Sequence, residues 1–270
     1  MFCREEQTYV IADETIDGII NDPAQPLCQI AKLLPEGATV LDIGAGNGML
    51  GRVLQRAERQ VTIDGIEPSE FAAKLAKPFY RAIYQGYAHD HSQVIQAIPY
   101  DYVILADVIE HIPNPAVFLT EILQNLQKTA KLIVSIPNVA FGGARLALLN
   151  GTFNYVDSGV FERTHLRFFT LASAQKLFEH LHLYSERVLS LERSFYRMEF
   201  ARKSLRASPF TILNLANKAD ARAYQYLFVL TQNPSRTVVE HYGVTMLNIL
   251  IDAIVAWPAM KQIVRRWRSH

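Results

Sequence analysis

Between residues 39 and 136, short apolar runs alternate with segments whose apolar residues recur every three or four positions. A short run of β-branched and aliphatic residues suits a strand buried on both faces, and a 3–4 recurrence suits one face of a helix. Their alternation predicts βαβ units wound around a parallel sheet. Strands are expected at 39–43, 61–66, 82–85, 102–106 and 132–136, with helices at 49–56, 69–77, 91–97 and 115–126. After Ile136-Pro137-Asn138 the pattern gives way to a glycine- and aromatic-rich passage, 139–169. That passage is longer than an ordinary βα connection, which marks it as functional. Thr170 then stands where an N-cap is expected for a helix over 171–180. Two more strand-like runs, 187–191 and 224–231, flank a polar and basic helical insert centred on 202–219. The second run, with Tyr226-Leu227-Phe228-Val229-Leu230, is rich in β-formers and closes the sheet.

Composition narrows this picture without changing it. The chain has 270 residues and 50% hydrophobic content, ample for one large α/β domain with extensions. The 27 Lys and Arg nearly cancel the 26 Asp and Glu, so there is no global basic field of the kind that nucleic-acid binding uses. Cys3 and Cys28 form neither a disulfide framework nor a zinc cluster, and the expected compartment is the reducing cytoplasm. Acids at Glu5 and Glu6 stand where a secretory signal would be apolar, so export is not expected.

The chemistry concentrates in Val40-Leu41-Asp42-Ile43-Gly44-Ala45-Gly46-Asn47-Gly48 and in Glu67. Glycines at 44, 46 and 48 read as a strand turning sharply into a helix, where a bulky Cβ would keep a ligand from the backbone. Glu67 follows the next apolar run, at the carboxyl edge where open α/β sheets bind ligands. A dinucleotide turn needs glycine at its sixth position, which here is Met49, and a P-loop needs Gly-Lys-Ser/Thr, which is missing. Both phosphate-binding readings weaken, and a small nucleoside remains.

These residues resemble the class I S-adenosylmethionine-dependent methyltransferases. Asp42-Ile43-Gly44-Ala45-Gly46-Asn47-Gly48 is similar to their first motif, Glu67 to the acid that holds the ribose hydroxyls, and Asp107-Val108-Ile109-Glu110-His111-Ile112 to the segment after their fourth strand. The resemblance implies a Rossmann-like, mostly parallel sheet of seven strands with helices on both faces. It also implies a substrate cap inserted after strand five. The cofactor would be S-adenosyl-L-methionine, leaving as S-adenosyl-L-homocysteine, held by Asp42, Gly44, Ala45, Gly46, Gly48, Glu67, Pro68, Ala106 and Asp107. Many members carry an acid after the glycine that follows strand three; here Gly86 is followed by Tyr87-Ala88-His89-Asp90. Adenine would instead meet the Ala88 backbone and the Tyr87 ring.

The passage from Ile136-Pro137-Asn138 through Gly151-Thr152-Phe153-Asn154-Tyr155 to Thr164-His165-Leu166-Arg167-Phe168-Phe169-Thr170 is similar to a subgroup of these enzymes. Its members are often encoded with bacterial glycan and lipid-linked polysaccharide pathways, and broadly resemble quinone-biosynthesis O-methyltransferases. The resemblance implies a cap over about 139–170. An oxygen acceptor has a proton to lose, and His111 and His165 are the candidate bases. Tyr155, Asp157 and Arg163 are candidates for orienting the acceptor. Plainer roles stand beside each: Glu67 as a cap for the helix after Ser69, His111 as an orienting or packing residue, His165 as a brace, Phe168-Phe169 as core, and Arg163 and Arg167 as partners of backbone carbonyls. No metal is expected, since the histidines are scattered along the chain without ligand spacing.

Beyond Asn233-Pro234-Ser235 apolar residues recur at Leu247, Leu250, Ile251, Ile254, Met260, Ile263, Val264 and Trp267, one face of a helix that Pro258 divides. The stretch falls short of the ~20 residues that span a bilayer. Lys261, Arg265, Arg266 and Arg268 beside Trp257 and Trp267 suit a membrane interface, and packing on the domain or on a second subunit of a homodimer is the plainer reading. The expected organisation is a methyltransferase domain over 1–234, with a helical insert at about 195–223, and an amphipathic tail over 235–270. The expected activity is O-methylation of a small, glycan or lipid-linked acceptor by a cytoplasmic enzyme, peripheral at the inner membrane face if the tail binds lipid. Its rivals are a quinone- or natural-product-type O-, N- or C-methyltransferase and a scaffold that binds cofactor without catalysis.

Overall fold

The computed structural model describes residues 13–196, 199–200 and 207–256. The acidic N-terminus with Cys3, the first part of the basic insert, and the tail residues Trp257 to Arg268 lie outside them. The described chain forms two compact units, one comprising residues up to Ala106 with Ile122–Ala130, the other Asp107–Glu121 with Lys131 onward.

In the first unit the apolar runs become β1 (Thr39–Ile43), β2 (Thr62–Glu67), β3 (Ala82–Gln85) and β4 (Tyr102–Ala106). They are parallel, in the order β3-β2-β1-β4, with Asp42 opposite Gly65 and Ile43 opposite Ile66. The amphipathic segments become α1 (Asp13–Asn21), α2 (Pro26–Leu33), α3 (Met49–Arg56), α4 (Glu70–Ala76) and α5 (Ser92–Ala97). Ser69 caps α4, its hydroxyl accepting the Ala72 N–H, which stabilises such a helix by roughly 1 kcal/mol. Val40, Leu41, Val53, Leu54, Ile63, Ile66 and Leu105 are buried and fill the unit. One acid is enclosed with them: Asp64 is fully buried at β2 and held by the Arg81 guanidinium and by the Tyr100 hydroxyl at 2.8 Å.

The helix α6 (Pro115–Asn125) runs across the division. The second unit continues with β5 (Lys131–Pro137), α7 (Gly142–Leu149), α8 (Leu171–His180), β6 (Tyr184–Glu192), α9 (Pro209–Ala216), α10 (Ala219–Arg222), β7 (Ala223–Thr231), β8 (Val238–Gly243) and α11 (Met246–Ala256). Its strands run β5-β7-β6-β8; β7 is antiparallel to both neighbours and β8 is parallel to β6. The described residues hold eight strands, four in each unit, where seven were expected. The additional strand, β8, falls in the region read as helical tail. Its residues are mostly exposed, so no apolar run marked it, and Arg187 pairing with Glu240 holds it to β6.

Two details fix this unit. Asn138 ends the Ile-Pro-Asn sequence, is buried, and gives its amide to the Asp220 and Ala223 carbonyls at 2.7 and 2.8 Å while its oxygen accepts the Ala140 N–H. Phe141, Phe195, Phe200 and Tyr224 then form an aromatic core with ring centroids 5.2–5.7 Å apart. Gly142 opens α7 against that core; a Cβ there would lie 2.3 Å from the Phe195 ring.

Candidate active site

The glycine turn follows β1 in the first unit. Gly44, Gly46 and Gly48 have φ of 80°, 55° and 83°, values that other residues adopt at a cost. Their neighbours differ. A Cβ on Gly48 would lie 2.7 Å from the Ala76 Cα, whereas one on Gly46 would meet nothing within 4 Å. Gly48 therefore permits α3 to pack, and Gly46 leaves an open approach to the backbone. Glu67 ends β2 and is buried; its two oxygens accept the Gly46 and Ser69 N–H groups, each at 2.8 Å. It thus braces the turn and steadies the Ser69 backbone, while the cap of α4 is the Ser69 hydroxyl. Each carboxylate oxygen retains a second lone pair.

Asp42 sits beneath the turn, 3% exposed, accepting the Tyr80 hydroxyl at 2.6 Å. Burial pushes its carboxyl up to about 7 against the opposing effect of the Tyr80 hydrogen bond, and Glu67 adds to the rise. Ala45 is buried, Pro68 exposed and Ala106 half-buried. Tyr87 is largely exposed, its ring stacked on His89 with centroids 5.6 Å apart and planes 5° from parallel, and Ala88 is buried below it.

The second unit contains a cavity of about 470 Å³, lined among others by Asp107, Glu110, His111, Asp157, Glu162, His165, Glu199 and Tyr224. Asp107 has a left-handed φ of 56°, held by an exchange with Ser135: its N–H donates to the serine oxygen at 3.0 Å and its carboxylate accepts the serine hydroxyl at 2.7 Å. Gln225 donates to the same carboxylate. The Glu110 carbonyl accepts the Leu166 and Arg167 N–H groups, which pins residues 160–170 against the loop after Asp107. Arg167 itself donates to the Pro113 carbonyl, the backbone role expected of it.

His111 and His165 are 54 residues apart in the chain, yet their rings meet edge to face at 4.8 Å. This corrects the expectation of scattered histidines: the hydrogen bonds from Leu166 and Arg167 bring the second to the first. Each Nδ1 lies 3.1 Å from a backbone carbonyl, of Thr164 for His111 and of Val160 for His165. A carbonyl only accepts, so each Nδ1 carries a proton, and in the neutral form of each ring Nε2 keeps its lone pair. Burial, with the neighbouring His111 adding to it, lowers the His165 pKa below its usual value. Glu110 is 1% exposed and neither carboxylate oxygen has a hydrogen-bond partner among the described residues. Burial and the nearby Asp107 charge push its pKa well up.

A family model described as a methyltransferase domain matches residues 19–185. The chain belongs to that methyltransferase family. Among solved structures it is similar to an S-adenosylmethionine-dependent methyltransferase of Thermotoga maritima, at 19% identity and a TM-score of 0.53 over 81% of this chain and 92% of that one. It is likewise similar to one of Archaeoglobus fulgidus, at 14% identity and a TM-score of 0.51 over 81% and 98%. At such identity they show a shared Rossmann-like fold. No curated protein sequence matches the chain.

For this methyltransferase, the expected acceptor residues are less enclosed than the histidines. Asp157 and Arg163 are exposed and paired with each other, and Tyr155 is 59% exposed, its ring 5.3 Å from Phe153. Phe169 is buried as core, while Phe168 remains 38% exposed. Sequence reasoning missed Glu162, Glu199, Ser135 and Gln225 as lining or positioning groups. Glu199 carried no local signal at all; its carboxylate accepts the Val160 N–H at 2.6 Å and the Tyr224 hydroxyl at 3.1 Å. Only the glycine opposite it, Gly159 at φ 116°, hints at a close approach.

Proposed function

We propose that the chain transfers a methyl group from S-adenosyl-L-methionine to a hydroxyl of a small, glycan or lipid-linked acceptor. S-adenosylmethionine supplies a sulfonium-bound methyl that an oxygen lone pair displaces in line. The glycine turn fits a ribose and its substituents: Gly46 leaves the backbone open, and Glu67 keeps lone pairs for both ribose hydroxyls while its other contacts hold it still. Bonds to a charged acceptor of this kind contribute roughly 1.5–3 kcal/mol each.

The observation that carries the acceptor half is the histidine pair at the cavity wall, each with a basic Nε2. As the acceptor O–H attacks, its proton passes to such a nitrogen, typically accelerating the step by ~10²–10⁴-fold. Phe153, Tyr155 and Phe168 are partly exposed, the first in ring contact with each of the others, which suits the apolar face of a sugar or a lipid chain. A second reading, an amine acceptor, is favoured by the carboxylates of Asp107, Glu110, Glu162 and Glu199 around the cavity.

Calorimetric titration with S-adenosylmethionine and with NAD tests the cofactor; silence with the first or tight binding of the second rejects the reading. Glu67→Ala weakens binding roughly ten- to a hundredfold, about 1.4–2.8 kcal/mol. Labelled methyl transfer to matched hydroxyl and amine acceptors, with the modified atom located by NMR, separates the two acceptor classes. Membrane contact through residues 235–270 belongs to the same proposal: Phe210 of α9 and Leu247 and Ile251 of α11 are exposed, and no described helix is long and apolar enough to cross a membrane. Removing residues 244–270 then abolishes sedimentation with anionic liposomes; unchanged sedimentation rejects contact through the tail.

A further inference from the structure

We propose that Glu110, His111 and His165 form a binding site for a divalent transition-metal ion of the manganese or zinc type, open to the cavity. Three observations converge on these residues. Their ligand atoms lie within 4.8 Å of one another. Metal–ligand bonds of about 2.0–2.2 Å place adjacent ligands roughly 3 Å apart, so the widest pair needs to close by nearly two ångströms. The Glu110 carboxylate is buried to 1% exposure with both oxygens unpartnered and lines the cavity. A carboxylate so enclosed requires a proton or a cation, and no lysine or arginine is among the described residues lining the cavity.

The histidines supply the third observation. Both direct Nδ1–H at a backbone carbonyl, of Thr164 and of Val160, and both keep Nε2 as a lone pair. That is the outer-shell arrangement that sets the tautomer and orientation of a ligating imidazole. Two imidazoles and a carboxylate suit manganese, iron(II), cobalt or zinc better than calcium, which takes oxygen ligands only. Asp107 and Glu162 stand in the same cavity wall to bind the ion or its waters, and the remaining coordination positions are left to solvent and acceptor.

This rests on the proposed methyl transfer only for its purpose: with the ion bound, both Nε2 lone pairs are taken as ligands, so the ion replaces the free histidines as activator and an acceptor hydroxyl on it would lose its proton to solvent more readily. The resulting oxygen would then form the new O–CH₃ bond as the sulfonium S–CH₃ bond breaks. Metal binding itself can be read without turnover.

The test uses the full chain, stripped with a chelator, titrated with Mn²⁺ and separately with Zn²⁺ at pH 7.5 by calorimetry. One ion per chain is expected, with affinity reduced at least thirtyfold by Glu110→Gln and by His165→Gln. Pulsed electron paramagnetic resonance of the Mn²⁺ complex should show imidazole nitrogen coupling, a readout on the parent protein that does not depend on the variants folding. No stoichiometric binding of either ion, unchanged affinity in folded variants, or a Mn²⁺ complex without nitrogen coupling overturns the proposal and leaves Glu110 as a buried protonated acid. Calorimetry with S-adenosylmethionine on the same samples separates the two readings. Metal binding without cofactor binding rejects the methyl-transfer reading alone, and cofactor binding without metal rejects the metal site alone.

Discussion

The glycine turn and the acid–histidine cavity differ in how their parts are gathered. The turn takes Asp42, Gly44, Gly46, Gly48 and Glu67 from one continuous βαβ unit, β1 to β2, so strand pairing places its parts and the Glu67 side chain only braces them. The cavity takes Asp107 to His111, Pro137, Val156 to His165, Glu199 and Tyr224 to Gln225 from five separated stretches. Those are joined by side-chain hydrogen bonds, donated by Asn138, Ser135 and Gln225 and accepted by Glu199. Parallel pairing is repeated and tolerant of any one side chain. A polar network is not, because each lost partner leaves a buried group unsatisfied.

The first way to break the comparison is to make the turn as fragile as the cavity. Gly48→Ala forces a Cβ to within 2.7 Å of the Ala76 backbone at φ 83°, and should cost about 2–4 kcal/mol in denaturant unfolding. Its neighbour gives the control. Gly46→Ala places a Cβ in open space, so the fold should lose only the ~1–2 kcal/mol of the left-handed backbone. Its affinity for S-adenosylmethionine should nonetheless fall at least tenfold. Equal losses of stability at the two positions would show that both glycines serve the fold alone.

On the cavity side, Asn138→Ala removes an amide that satisfies the Asp220 and Ala223 carbonyls. We expect about 2–3 kcal/mol of destabilisation, with S-adenosylmethionine affinity in the folded variant changed less than threefold. A variant that keeps its stability would mean that the ends of β5 and β7 are held together without Asn138.

These contrasts also account for what the sequence disclosed. The strands from 39 to 136 were legible because a strand buried on both faces must be a continuous apolar run, and Thr170 because its hydroxyl has a short-range partner, the Ser173 N–H at 3.2 Å. Glu67 was legible because a strand end fixes where a side chain stands. β8 was not: Val238, Val239 and His241 lie largely exposed at the sheet edge, so no periodicity revealed it. The His111–His165 contact was hidden for another reason. It depends on two backbone N–H groups finding the Glu110 carbonyl, and backbone partners leave no trace in residue type.

The last contrast concerns Asp42, which by sequence belongs with the ligand and by position lies beneath the turn. Burial pushes its pKa up from the ordinary 3.8 to about 7 in the folded chain, so between those values the folded chain holds a proton that the unfolded chain releases. Stability from this group is therefore complete below pH 4 and declines as pH rises towards 7, by at most about 1.4 kcal/mol per pH unit. Asp42→Asn keeps an acceptor for the Tyr80 hydroxyl and removes the titration. Its melting temperature relative to the parent should climb from pH 4 to pH 7 and level off above. A difference independent of pH would show that Asp42 is ionised throughout and held by a cation or ligand in the turn. If Asp42 only braces the turn, S-adenosylmethionine affinity should change less than threefold in the same variant; a tenfold loss would return Asp42 to the ligand and leave Gly48 as the residue that serves packing alone.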